Sequence, residues 1–153
     1  MKKLLLIIIV LLLANTVTYG KGVETYVELL KSDIRTKKVA IITATMGLTD
    51  EESSTFWPIH REYEVELSKM IDDRIEMIED YIQNYDNLTD EKAREIAKKV
   101  FALEKRRTKL KKKYFKKVEK ALSATIAAKF IQIESQINLL ADLQIESELP
   151  LIK

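Results

Sequence analysis

His60 is the only histidine of the chain, and cysteine is absent. Glu64 lies one helical turn after His60, so the two side chains would share a helix face and could hold a metal ion. Two ligands do not make a site, because zinc, copper and nickel sites need more nitrogen or sulfur donors. His60 also falls in the apolar stripe of its helix, near Tyr114 by antiparallel counting. The pattern favours a packed, hydrogen-bonded core histidine, so we expect no metal site and only weak, nonspecific metal binding.

A second group of donor side chains is a run of carboxylates on one predicted helix: Asp72, Asp73, Glu76, Glu79 and Asp80. Di-metal helix bundles need a Glu-x-x-His motif on two helices, and the sequence lacks it. The run therefore indicates a solvated acidic face. Serine hydrolase and cysteine protease sites are excluded because there is no Cys and no Ser motif around the lone His, and phosphate-cradling glycine loops are missing. We predict a protein that is not an enzyme and binds no cofactor.

The first twenty residues predict export. Lys2 and Lys3 form a positive start, an apolar run of eleven residues extends from Leu4 to Ala14, and small residues follow up to Gly20. This order is typical of a secretory signal, and the run is shorter than the roughly 20 apolar residues that span a bilayer. We expect residues 1–20 to be a signal peptide and the protein to be periplasmic or otherwise exported, with no stable membrane insertion after cleavage. An uncleaved membrane anchor is the alternative.

The composition of residues 21–153 fits a single helical domain. This segment holds 24 basic and 24 acidic residues, so its net charge is zero. Only three glycines and two prolines occur in the whole chain, while abundant Ala, Leu, Ile, Lys and Glu favour long helices. The absence of cysteine excludes disulfides and a lipid-modified amino terminus. We predict an all-α fold.

Four helices are predicted from apolar periodicity and from helix start and stop signals. The first helix runs from about Glu24 to Met46 and is ended by Gly47. The second helix starts at the Thr49–Glu52 capping box and reaches about Asn84. The third helix starts at Leu88-Thr89, and the fourth starts at Leu122-Ser123 and stops at Pro150. Pro58 either kinks or divides the second helix. The short loop at 84–88 folds the second helix back on the third, which predicts four helices built on a long antiparallel hairpin.

Apolar stripes predict the inner faces of these helices. The stripes are Val27, Leu30, Ile34 and Ile41 on the first helix; Phe56, Tyr63, Leu67, Ile71, Ile78, Tyr81 and Tyr85 on the second; Ala93, Ile96, Val100, Leu103, Leu110, Tyr114 and Val118 on the third; and Ile126, Phe130, Ile133, Ile137 and Leu140 on the fourth. Arg74 and Arg107 interrupt the stripes, where each needs an acidic neighbour. Glu104 is the predicted partner of Arg74.

Charge is divided unevenly between the two helices of the hairpin. Residues 50–91 hold fourteen acidic against three basic side chains, whereas residues 104–120 hold ten basic against two acidic ones. An antiparallel hairpin places the acidic helix beside the basic one. Because a single exposed ion pair contributes only about 0.2–1 kcal/mol, we expect this asymmetry to set orientation and partner choice more than stability.

Phe101, Phe115 and Lys111 form the candidate binding surface. The two rings are fourteen residues apart on one flank of the third helix, beside Lys111. They would form an apolar patch rimmed by positive charge, which suits unfolded proteins; alternatively, they widen the core or form a dimer interface. The basic stretch around them is solvated or paired within the molecule, or it binds acidic or unfolded proteins, anionic lipid or nucleic acid. The export signal argues against nucleic acid, so we expect none to be bound.

The predicted helix starts resemble those of a known group of exported proteins. Leu48-Thr49, Leu88-Thr89 and Leu122-Ser123 each open a helix, Phe56-Trp57-Pro58 follows the first, and Glu148-Leu149-Pro150-Leu151 forms a closing apolar tail. This ordered set resembles the Spy/CpxP family of periplasmic proteins, which is marked by a repeated Leu-Thr-x-x-Gln motif, over most of residues 24–152. It looks closest to a divergent, poorly characterised branch of that family, which carries the Phe-Trp-Pro segment and the apolar tail. The chain departs from the family at the Gln position, where it has Glu52, Lys92 and Ile126.

The resemblance implies a helical hairpin that dimerises into a curved cradle. Such cradles hold unfolded proteins without ATP, or restrain a stress-sensing kinase. We therefore expect an ATP-independent periplasmic chaperone or stress-response protein that binds unfolded or partner proteins as a homodimer. The alternatives are a regulatory partner of a membrane sensor protein and, from a different class, a periplasmic metal sensor or carrier. The long apolar stripes independently favour a dimer, because one hairpin cannot bury every apolar face.

Overall fold

The computed structural model describes residues 37–152, apart from the side chains of Gln144 and Glu148. The chain is helical from residue 37 to residue 46, and we call this helix α1. The remaining elements are α2 (Asp50–Asn84), a 3₁₀ turn (Tyr85–Asn87), α3 (Asp90–Ala121) and α4 (Ala124–Glu148). The described residues contain no β-strand, and the predicted all-α fold is confirmed. The predicted signal peptide and residues 24–36 of the predicted first helix lie outside the described residues.

Hydroxyl side chains cap the starts of α2, α3 and α4. The Thr49 hydroxyl accepts a hydrogen bond from the backbone N–H of Glu52 at 3.2 Å, and the Glu52 carboxylate accepts one from the backbone N–H of Thr49 at 2.8 Å. Thr89 and Ser123 cap in the same way, each accepting from the third backbone N–H of its helix at 3.2 Å. These bonds satisfy N–H groups that a helix start leaves without partners. The predicted starts and the capping box are confirmed.

Gly47 and Pro150 mark the ends of two helices as predicted, whereas Pro58 does not end a helix. Gly47 follows α1 with a φ of 61°, a left-handed conformation that glycine adopts without a Cβ clash. Pro150 comes just after the end of α4 at Glu148. Pro58, by contrast, lies inside α2, and the helix continues through it. Because proline has no N–H, it removes one hydrogen bond from the turn before it without dividing the helix.

A row of ion pairs joins α2 to α3 in antiparallel register. The pairs are Glu62–Lys117, Glu66–Lys113 at 2.5 Å, Asp73–Arg106 at 2.5 Å and Asp80–Lys99 at 3.2 Å. Successive partners are four, seven and seven residues apart on α2, and the same numbers apart in reverse on α3. The register is therefore constant along the hairpin, and the acidic helix lies beside the basic one, as predicted.

Polar contacts also fix the positions of α4 and α1. Lys111 Nζ donates to Ser135 Oγ at 3.1 Å and Arg107 pairs with Asp142 at 2.7 Å, so α4 runs antiparallel to α3. Lys129 Nζ donates to the carbonyl of residue 46 at 2.9 Å, which ties α4 to the end of α1. All four helices thus contribute to one bundle.

The bundle has two ends that differ in packing. We call residues 37–70 and 110–134 the packed end, and residues 71–109 and 135–152 the hairpin end. The main core cluster lies wholly in the packed end: Ile42, Met46, Phe56, Ile59, Tyr63, Leu67, Met70, Leu110, Tyr114, Val118, Ala127, Phe130 and Ile133. The hairpin end buries Ile78, Tyr81 and Ile96. There the Tyr81 hydroxyl donates to the Pro150 carbonyl at 2.6 Å, so the segment after α4 returns to α2.

The apolar stripes are wrong at four positions, three of them in the hairpin end. Ile41, Ile71, Val100 and Leu140 are exposed, and Ile42 rather than Ile41 is buried on α1. Met70 is buried where the stripe of α2 places Ile71, and α4 carries apolar residues on both of its sides, so periodicity alone could not orient its second half. None of the helices in the described part of the chain is long and apolar enough to cross a membrane.

Candidate functional site

The outer face of α3 carries a row of lysines that point away from the hairpin. Lys105, Lys109, Lys112 and Lys116 follow at steps of four, three and four residues, which places them on one face of the helix, and all are exposed. Within residues 37–152 none of them forms a salt bridge, whereas Lys99, Arg106, Lys113 and Lys117 are paired with α2. The basic stretch therefore has a neutralised row and a free row. We call the free one the lysine row.

The three residues of the predicted binding surface do not share one exposed surface in the structure. Phe101 is 71% exposed, and it lies one turn before Lys105, at the end of the lysine row. Phe115 is partly buried against the core cluster, and Lys111 is half-buried and donates to Ser135. Phe101 therefore belongs to the surface, whereas Phe115 and Lys111 are turned toward α4.

A second apolar surface, which the sequence did not predict, lies on the outer side of α4. Leu139, Leu140 and Leu143 are 67%, 68% and 66% exposed, and their spacing puts them on one side of the helix. We call these three residues the leucine face. The sequence did contain one indication of the leucine face. After Ile137, apolar residues occur on both sides of α4, and one core-facing stripe does not require so many.

A buried polar cluster lies at the packed end, where α1, α2 and α4 meet. Lys38 of α1 pairs with Glu64 of α2 at 2.5 Å and with Glu134 of α4 at 2.8 Å. His60 Nε2 lies 3.8 Å from an oxygen of each carboxylate. The side chains of His60 and Glu134 are 3% and 0% exposed, and that of Glu64 is 20% exposed. We call these four residues the polar cluster.

The polar cluster is enclosed by aromatic rings and has unsatisfied atoms. The rings of Phe56, Trp57 and Phe130 lie 5.2–5.9 Å from the His60 ring. His60 Nε2, Glu134 Oε1 and the Tyr63 hydroxyl have no hydrogen-bond partner among the described residues, whereas Glu134 Oε2 is paired with the Lys38 ammonium at 2.8 Å. His60 is therefore a packed core histidine, as predicted, but the expected hydrogen bond is not found. The Tyr114 ring packs on Tyr63 rather than on His60.

Ionisation in the cluster is governed by burial and by neighbouring charge. Burial raises the pKa of the Glu134 carboxyl, but His60 and Lys38 outweigh it and hold that pKa below its usual value. Burial, followed by the negative charge of Glu134, raises the pKa of the Tyr63 hydroxyl. Glu134 is thus an ionised carboxylate in a nearly dry site, a placement that is costly unless opposite charge compensates it.

The hairpin end has its own half-buried ionic group, centred on Asp142. The Asp142 carboxylate pairs with Arg107 at 2.7 Å and also with Arg74, which reaches Glu146 at 3.0 Å as well. Arg74 does have the acidic neighbours that its place in the stripe requires, but the predicted partner is wrong. Glu104 lies instead 3.6 Å from Arg107, one turn along the same helix, because α4 rather than α3 supplies the acids that face Arg74.

Comparisons with known proteins assign no family to this chain. The chain matches no family model, no curated protein and no solved structure at a significant level. The likeness to the Spy/CpxP family therefore rests on the helix starts and the Phe56-Trp57-Pro58 segment, and it stays a prediction.

Proposed function

We propose that this protein is an exported, ATP-independent chaperone or stress-response protein that binds unfolded or loosely structured proteins. The observation that carries the proposal is Phe101, an exposed aromatic ring at the end of the lysine row. The signal-like residues 1–20 and the resemblance to the Spy/CpxP family support the same function and a periplasmic location. The absence of a phosphate-cradling loop in the sequence supports independence from nucleotide.

The lysine row and Phe101 have complementary tasks in this proposal. The four ammonium groups raise the rate at which acidic segments of a client are encountered, an effect that salt screens beyond about 8 Å at physiological ionic strength. Phe101 then makes a loose apolar contact that does not depend on client sequence. Charges that are paired within the hairpin contribute little to this field, because the carboxylates of α2 neutralise them.

The leucine face supports the homodimer. Three adjacent leucines, each about two-thirds exposed, form the kind of apolar patch that a second copy of the same chain can cover in a symmetric interface. Triple replacement of the leucine face by Ser should shift sedimentation from dimer to monomer. Val65→Ser is the matched control, since Val65 is 59% exposed on α2 at the packed end. A monomeric wild type at tens of micromolar, roughly the range of moderate associations, would remove the dimer from the proposal.

Aggregation assays test the activity itself. Light scattering of a chemically unfolded acidic model protein should be suppressed by the wild type without nucleotide, and added salt should weaken the suppression. Phe101→Ser should reduce protection and leave the melting temperature unchanged, whereas Phe115→Ser should lower the melting temperature because Phe115 packs on the core. Replacing the lysine row by Gln should slow protection, and replacing it by Arg, which keeps the charge, should not.

Two results would overturn the proposal. If protection and melting temperature fall together in Phe101→Ser, the ring acts through stability and the client surface is wrong. If the wild type protects no client at any molar ratio, the chaperone function is wrong, and a regulator that binds one folded partner takes its place.

A further inference from the structure

We propose that His60, Glu64 and Glu134 form a binding site for one divalent transition-metal ion, of which zinc is the best match, and that the ion enters in exchange for the Lys38 ammonium. The sequence brings only His60 and Glu64 together, and two donors do not make a site. Glu134 arrives from α4, seventy residues further on, and supplies the third. One donor atom from each residue lies within 4.8 Å of the others.

The donor set fits a zinc-class ion. An imidazole nitrogen with two carboxylate oxygens gives three protein ligands and leaves a fourth position for water, an arrangement common to non-structural zinc sites. Zinc bonds to these atoms measure about 2.0–2.2 Å, so donors that lie up to 4.8 Å apart can surround one ion with small side-chain movements. Magnesium and calcium, which prefer oxygen ligands only, fit less well because His60 supplies nitrogen.

The unsatisfied atoms point to the same ligand. His60 Nε2 and Glu134 Oε1 are buried without a hydrogen-bond partner in the described part of the chain, while Glu134 Oε2 is paired with the Lys38 ammonium that the ion would replace. Buried polar atoms normally have a partner, and an orphaned one needs a reason such as an ion that binds there. These atoms belong to two of the three proposed ligands.

Charge balance explains why a divalent cation is favoured over the ammonium. Glu64 and Glu134 together carry two negative charges, and Lys38 returns only one positive charge. One negative charge is therefore left in a site where uncompensated charge is costly. A divalent ion in place of the ammonium would neutralise both carboxylates.

The exchange has a consequence for α1. Lys38 is the residue through which α1 forms ion pairs with both α2 and α4, while Ile42 and Met46 bury its apolar side. A metal ion would displace Lys38 and remove these two ion pairs, while the apolar contacts of α1 and its hydrogen bond from Lys129 remain. Metal binding would thus loosen one helix without unfolding the core.

Calorimetric titration of the metal-free protein with zinc chloride tests the site. The wild type should bind one ion per chain. Glu134→Gln and His60→Gln should each weaken binding by about 10–100-fold, and Lys38→Met should tighten it by about tenfold, or about 1.4 kcal/mol, because the competing ammonium is gone. Glu66→Gln is the control, since Glu66 is a half-exposed carboxylate on the same helix that pairs with Lys113 and accepts a hydrogen bond from Tyr114, and it should bind zinc as the wild type does.

Circular dichroism of each variant keeps the test independent of folding. Titration with cobalt(II), followed by its visible absorption, reports ligand geometry directly and should show a tetrahedral spectrum that Glu134→Gln abolishes. Absence of saturable zinc binding in both wild type and Lys38→Met would overturn the site. Binding in Lys38→Met but not in wild type would overturn the exchange, because the ammonium would then be the permanent occupant. Equal weakening in Glu66→Gln would show nonspecific carboxylate binding and would also overturn the site.

Discussion

The packed end and the hairpin end of the bundle differ in how many apolar side chains they bury. At the packed end, α1 lies against α2 and α4, and Phe56, Tyr63, Tyr114, Val118 and Phe130 are completely buried. At the hairpin end, Phe101 and the leucine face are exposed. Stability and surface for binding are therefore separated along the bundle: one end holds the fold, and the other keeps apolar side chains available.

The largest expected difference between the two ends concerns aromatic residues. Phe130→Ala should lower the free energy of unfolding by about 3–5 kcal/mol, because the Phe130 ring packs 5.3 Å from the rings of Phe56 and Tyr63. Phe101→Ala should change it by less than about 0.5 kcal/mol. Urea denaturation followed by circular dichroism measures both. Similar losses in the two variants would mean that the hairpin end is packed as tightly as the other.

The Asp142 group should give the next largest effect. Asp142→Asn weakens the charge-assisted hydrogen bonds from Arg107 and Arg74, and such bonds contribute about 1.5–3 kcal/mol each when buried. Because Asp142 is partly exposed, we expect a total loss near the lower limit. Urea denaturation measures the loss, with Glu76→Gln as control, since Glu76 is an exposed carboxylate of α2 in the hairpin end. An unchanged midpoint would show that the hairpin end does not depend on this ionic group.

The same carboxyl should make stability depend on pH. Burial raises the pKa of Asp142, but hydrogen bonds from Arg107 and Arg74 outweigh it, so that pKa is lower in the folded than in the unfolded chain. A lowered carboxyl pKa stabilises the fold above the unfolded value of about 3.9. This contribution is lost as pH falls from there through the folded pKa. The difference in unfolding free energy between wild type and Asp142→Asn should therefore be constant near pH 7 and shrink below about pH 4; a constant difference down to pH 2 would contradict it.

The helix caps at the two ends allow a matched comparison, in which we expect a smaller loss of stability. Thr49→Ala at the packed end and Thr89→Ala at the hairpin end each remove one capping hydrogen bond of 3.2 Å, and each should cost about 1 kcal/mol. Thermal melting measures both. If Thr89→Ala costs nothing while Thr49→Ala costs the expected amount, then the start of α3 opens before the rest of the bundle unfolds.

The smallest expected effect belongs to the ion pairs along the hairpin. A double-mutant cycle on Glu62 and Lys117, both about half exposed, should give a coupling energy of about 0.2–1 kcal/mol that decreases with salt. A coupling above this range would mean that the row of pairs acts as a cooperative network.

Local signals in the sequence were sufficient for most of the fold. Thr49, Thr89 and Ser123 mark helix starts because a hydroxyl at that position bonds to a backbone N–H only three residues away. Gly47 and Pro150 act through their own backbone geometry. The antiparallel order of α2 and α3 followed from a loop too short to allow any other arrangement.

Features that depend on α4 could not be predicted in the same way. The partners of Arg74 and the third acid of the polar cluster both lie about seventy residues away in sequence, where periodicity carries no information on rotation. Glu134 did leave one signal, since it is a charged residue directly beside the core positions Phe130 and Ile133. The same reasoning that required acidic partners for Arg74 and Arg107 would have required a cation for Glu134.

The constant register of the ion-pair row has a consequence for how the hairpin could misfold. Sliding α3 by seven residues along α2 would place Lys113 opposite Asp73, Arg106 opposite Asp80 and Lys120 opposite Glu66, so three of the four pairs would form again with new partners. The charges thus tolerate slippage by one heptad. The native alignment is held instead by the short turn at Tyr85–Asn87 and by the core, in which the Tyr63 and Tyr114 rings pack edge to face at 5.3 Å. Alanine in place of either ring would remove one of the contacts that distinguish the native alignment from the shifted one.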